Sequence, residues 1–111
     1  MAATPTPRPV AKALRRLGGD LRRWRELQGL TAQQVAERAG VSRPVVSRVE
    51  HGEGTTLENV LRVARALGVL DLLSGAVDPM ATDVGRLRAD ERRPQRVRRR
   101  RSELPRGGGP R

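Results

Sequence analysis

The sequence predicts an all-α fold: five short helices in one domain, with a disordered N-terminal arm and an Arg-rich C-terminal tail. Three observations lead there. Apolar residues recur at steps of three and four in successive stretches, the period of a helix with one buried face. Glycines stand just past those stretches, at 29, 40, 52, 68 and 75, where a helix end accepts a left-handed residue. Thr31, Ser42 and Thr56 stand just before three of the stretches, as N-caps do.

In chain order, residues 1–10 (MAATPTPRPV) hold three prolines and no apolar period, and predict a disordered arm. The domain is expected over residues 11–75. Leu14, Leu17, Leu21, Trp24 and Leu27 make the apolar face of a first helix, which puts Trp24, the one aromatic residue, in the core. Gly18-Gly19 weakens that helix, so its stable part is expected to begin near Asp20. Thr31 and Gln34 have capping-box spacing, and Val35, Ala36 and Ala39 form the narrow stripe of a second helix. Ser42 caps a third, with Pro44 in its first turn. There Val45, Val46 and Val49 point inward, and Arg43, Ser47 and Arg48 are left on the outer face. Thr56 opens a fourth helix with the stripe Leu57, Val60, Leu61, Ala64 and Leu67. Val69, Leu72 and Leu73 make a short fifth. So small a core leaves stability marginal and favours dimerisation.

The stretch Thr31 to Gly52 is the centre of this arrangement. Two short helices joined by a tight turn form a helix-turn-helix, whose second helix can lie in a DNA major groove. Ala36, Ala39 and Gly40 are small enough to let the two helices cross closely. The pattern resembles the Xre or lambda-repressor-like family, on Gly29-Leu30-Thr31, Val35-Ala36, Gly40-Val41-Ser42 and Val46-Ser47-Arg48-Val49-Glu50-His51-Gly52.

The resemblance implies a compact lambda-repressor-like domain that binds double-stranded DNA as a homodimer on a near-palindromic operator. It implies that Arg43, Pro44, Ser47 and Arg48 face the bases, with the arginines suited to guanine and Pro44 to a thymine methyl. It assigns phosphate contacts to Thr31, Gln33, Ser42, Thr55 and Thr56. The chain departs from its relatives at two places: they often carry Gln where Ala32 stands, and commonly Asn at His51. Arg25 and Glu50 match positions that often form a structural ion pair tying the first helix to the end of the third.

Composition fits a polyanion partner. The formal net charge is +11, and of the 23 basic residues only Lys12 is lysine. The excess is uneven. Residues 14–75 carry ten Arg against seven acidic residues, whereas residues 86–111 carry eleven against three. The absence of cysteine rules out disulfides and thiolate metal sites, and the single His51 cannot build a metal site from histidine alone. No nucleophile stands beside that histidine in sequence, so no catalytic residue, metal or cofactor is expected. With no apolar run of membrane-spanning length and no secretory signal, the chain is expected to be cytoplasmic and nucleoid-associated.

From Ala76 the character changes, and residues 76–111 predict a basic, mostly disordered tail. Asp78 to Ala89 reads D-P-x-x-T-D-x-G-R-x-R-A, and Pro94 to Arg99 reads P-x-R-V-R-R. This combination resembles the tails of Xre regulators paired with HipA-type kinase toxins, the HipB-like antitoxins. It implies an autorepressing antitoxin whose segment 76–101 orders on the kinase, with Met80, Val84, Leu87 and Val97 as anchors. Two alternatives stay open: a stand-alone Xre regulator without a toxin, and an RNA-binding or nucleoid-associated protein in which the Arg run does the binding.

Overall fold

A computed structural model describes residues 4–92. The first helix, α1, runs Arg8–Leu27. Pro7 is its N-cap and Pro9 lies in its first turn, where a missing N–H removes no helical bond. The Ala11 N–H reaches the Pro7 carbonyl at 3.0 Å. The prolines that predict a disordered arm thus start a helix, and residues 8–10 belong to it.

Nor does the helix weaken at Gly18-Gly19. Gly18 is where α1 lies against the end of the third helix: a Cβ there would stand 2.1 Å from the Val49 carbonyl oxygen. Gly52 answers it, since its own Cβ would fall 2.7 Å from the backbone of Arg15. Tertiary contact carries α1 through two residues of poor intrinsic propensity.

The next helices are α2 (Ala32–Ala39), α3 (Arg43–Glu50), α4 (Leu57–Ala66) and α5 (Leu70–Gly75). Gly40, at φ 70°, makes the left-handed turn between α2 and α3. Gly75 is the last residue of α5 rather than the one past it. Leu21, Val35, Ala36, Ala39, Val46, Val49, Val63, Ala64, Leu67 and Val69 form the core. α1 packs on α3, and α2 on both α3 and α4. The Gln28 side chain donates to the Leu67 carbonyl at 2.8 Å and joins the ends of α1 and α4.

Trp24 is not a core residue: it is 40% exposed, and Leu27 and Leu57 are exposed further. α1 meets the end of α3 through Arg15, Gly18 and Arg25. That orientation leaves Leu17 and Leu21 against the core and turns Trp24 and Leu27 outward.

The chain divides into two units, the second starting at Ser74. Within it, Asp78 caps a 3-10 turn, Pro79–Ala81, by accepting the Met80 N–H at 3.0 Å. Thr82 donates its hydroxyl to the Pro79 carbonyl and accepts the Gly85 N–H, each at 3.0 Å. Residues 83–92 are helical. Gly85 is required there, because a Cβ would stand 2.1 Å from the Pro79 carbonyl oxygen. Arg86 pairs with Asp83 and donates to the Met80 carbonyl. The letters D-P-x-x-T-D-x-G-R therefore spell a local fold, and this part of the tail is helical where its composition predicts disorder. The Arg run 98–101 and the end, PRGGGPR, lie outside the described residues.

Candidate nucleic-acid interface

The outer face of α3 follows from its inner one. Val46 and Val49 are buried, which leaves Arg43, Pro44, Ser47 and Arg48 exposed. Among the described residues, the guanidiniums of Arg43 and Arg48 have no hydrogen-bond or ion-pair partner. Both remain available to an outside acceptor.

Three helix starts flank that face in sequence, and each is capped by a hydroxyl. Thr31 Oγ1 accepts the Gln34 N–H at 3.1 Å, and Gln34 Oε1 accepts the Thr31 N–H at 2.8 Å, completing a capping box. Ser42 Oγ accepts the Val45 N–H at 3.4 Å. Thr56 Oγ1 accepts the Asn59 N–H at 3.1 Å, while Asn59 Nδ2 donates to Thr55 Oγ1 at 3.0 Å. In all four residues the oxygen is used as an acceptor and the hydroxyl hydrogen stays free for an acceptor-only group such as phosphate. Gln33 differs: its amide donates to Glu37 at 3.2 Å along the exposed face of α2.

Ser47 is tied to His51. Nδ1 of His51 lies 2.8 Å from the Ser47 carbonyl oxygen and 3.3 Å from Ser47 Oγ. A carbonyl oxygen only accepts, so Nδ1 carries the hydrogen and the Ser47 hydroxyl keeps its own. At the end of α3, Arg25 grips Glu50 with two bonds, Nε to Oε2 at 2.7 Å and Nη2 to Oε1 at 3.1 Å. Its Nη1 donates to the Leu30 carbonyl at 3.0 Å. The hydrogen bond to Glu50 raises the Arg25 pKa above its ordinary value, so the guanidinium stays charged. The pair is mostly shielded, with side chains 15% and 6% exposed.

A cleft of about 260 Å³ opens between these elements, lined by Arg22, Arg25, Ala32, Arg43, Ser47, Glu50 and His51. It brings two residues predicted to face bases, Arg43 and Ser47, beside the ion pair. Arg48, Gln33, Thr55 and Thr56 do not line it.

Residues 21–72 match the helix-turn-helix family. The matched span runs from within α1 into α5 and includes every residue of the cleft. It supports the lambda-repressor-like resemblance and a DNA-binding regulatory role. Neither the curated proteins nor the solved structures offer a match to the chain. Among the described residues no helix is long and apolar enough to cross a membrane.

Several residues of this helix-turn-helix domain escape a reading by motif. Asn59 links Thr55 and Thr56 through both its amide groups; its place three residues after a capping Thr is the available signal. Arg62, held by Glu58, also donates to the Ala39 carbonyl at 3.4 Å, satisfying the end of α2.

Proposed function

We propose that the chain is a sequence-specific transcriptional regulator that binds a near-palindromic operator as a homodimer. In this reading Arg43, Pro44, Ser47 and Arg48 address base edges, and Thr31, Gln33, Ser42, Thr55 and Thr56 hold the phosphate backbone. The observation that carries it is the outer face of α3, with exposed Arg43 and Arg48 over buried Val46 and Val49. An unpartnered guanidinium has the fork geometry for guanine O6 and N7. Two-fold symmetry doubles a contact set that one small domain leaves too short for useful specificity.

The test is a pair of substitutions measured on a duplex selected by the protein from random sequence and on a scrambled duplex. Arg48→Ala costs about 1–3 kcal/mol on the selected site and relaxes preference at one base pair. Ser42→Ala weakens both duplexes by a similar factor. Equal losses from Arg48→Ala on both duplexes would remove its base-reading role, and one protomer per selected duplex at saturation would remove the dimer.

A finer reading makes this regulator the antitoxin of a HipA-type kinase. Its support is the second unit, where Val77, Met80, Val84 and Leu87 are all more than half exposed. Four large apolar side chains on so short a segment are suited to anchoring on a protein surface. In this reading segment 76–101 binds the kinase while the helix-turn-helix domain stays on DNA. A Val84→Asp/Leu87→Asp variant then loses capture of a genomically adjacent kinase and keeps its DNA affinity. Unchanged capture, or no such neighbouring gene, counts against the pairing.

A further inference from the structure

The cleft beside α3 has a member that no motif assigns. Arg22 comes from α1, yet it lines the same cavity as Arg43 and Ser47. The reason lies in how α1 is seated. Arg15, Gly18 and Arg25 meet the last turn of α3 and the loop after it, and Arg22 falls on the same helical line, four residues past Gly18. Ala32, also in the lining, carries too small a side chain to fill the cleft.

The electrostatics of the cleft suit an anion. Glu50 is the one carboxylate in its lining, and both its oxygens are taken by Arg25. Among the described residues Arg22 is held only by Glu26 at 3.2 Å, an i,i+4 pair in which both side chains are about half exposed. Such a pair is weak and screened, so the guanidinium is easily drawn away. Arg43 has no partner among the described residues. The Ser47 hydroxyl and the His51 ring add polar groups to the lining. Gln33, the candidate phosphate residue on α2, is not among the lining residues.

We infer that Arg22 is a phosphate-binding residue, which with Arg43 takes one phosphodiester of the DNA backbone into this cleft. The inference rests on the DNA-binding reading and adds α1 to the elements that touch the duplex. Because Arg43 then serves both the cleft and the groove, the phosphate fixes where the first turn of α3 sits over the bases.

Arg22→Gln and Arg23→Gln are compared by titrating full-length protein with the selected and the scrambled duplex over a range of salt. Arg23 is exposed, outside the cleft lining, and carries the same charge. Arg22→Gln flattens the slope of log K against log salt by about 0.9, one phosphate's share, on both duplexes. Arg23→Gln leaves the slope near that of the wild type. Equal slopes for the two variants, or a loss confined to the selected duplex, overturn the assignment. A wild type that binds both duplexes equally well defeats the regulator reading instead, and the comparison of slopes still decides the role of Arg22.

Discussion

Glu50→Ala lowers the stability of the helix-turn-helix domain by about 3 kcal/mol, the low end for breaking one side of a shielded ion pair. The substitution strands the Arg25 guanidinium, 15% exposed, with the Leu30 carbonyl as its remaining partner. Against a total of roughly 5–15 kcal/mol for a domain, this is a large fraction. Function follows stability here, because the pair binds α1 to the end of α3 and so sets how α3 is held. Glu26→Ala is the matched control. It removes the same residue type, but its partner, Arg22, is about half exposed, and solvent screening keeps its effect within about 0.5 kcal/mol. Urea denaturation of both variants decides the matter, and similar midpoints would show that the Arg25–Glu50 pair contributes no more than a surface contact. A Glu50→Gln variant refines it: an amide oxygen still accepts from Arg25, so a partial recovery is expected.

The contrast between these two pairs shows what the sequence makes legible. Arg25 and Glu50 stand 25 residues apart, and only the resemblance to a known family brings them together in advance. Arg22 and Glu26 are four apart and visible to anyone counting along a helix. The same division runs through the fold. Caps and turns are local, so Thr31, Ser42, Thr56 and the glycines after α1 to α4 can be read directly. The apolar stripe of α1 is also local, but how that helix is rolled against α3 is not. The stripe therefore places Trp24 and Leu27 inside, whereas the packing exposes them. The cleft fails to appear for a like reason: Arg22 and Arg43 share it only because of where α1 is seated. In the second unit, low hydrophobicity reads as disorder, but Asp78, Thr82, Gly85 and Arg86 build helical structure from backbone bonds and close approach.

Gly18 and Gly19 carry the sharpest version of this point, since replacing each by alanine is expected to change stability in opposite directions. Both sit inside α1, and by helix propensity alone each alanine should add about 0.5–1 kcal/mol. Gly19 faces open space, with nothing within 4 Å of a Cβ built on it, so Gly19→Ala realises that gain. Gly18→Ala cannot. Its methyl would lie 2.1 Å from the Val49 carbonyl oxygen and 2.9 Å from that of Glu50, and both obstacles are backbone, which no rotamer change can move aside. To make room, α1 must lift from α3, which loosens the approach of Gly52 to Arg15 and stretches the Arg25–Glu50 pair. Overpacking of this kind typically costs about 1–3 kcal/mol, and the coupled contacts put the net loss near the top of that range. For a domain of this size each kcal/mol moves the melting temperature by roughly 4–8 °C, so thermal melts of the two variants should fall on opposite sides of the wild type. Equal shifts of the same sign would mean that Gly18 is merely a weak helix residue, and that the close seating of α1 on the end of α3 does not hold.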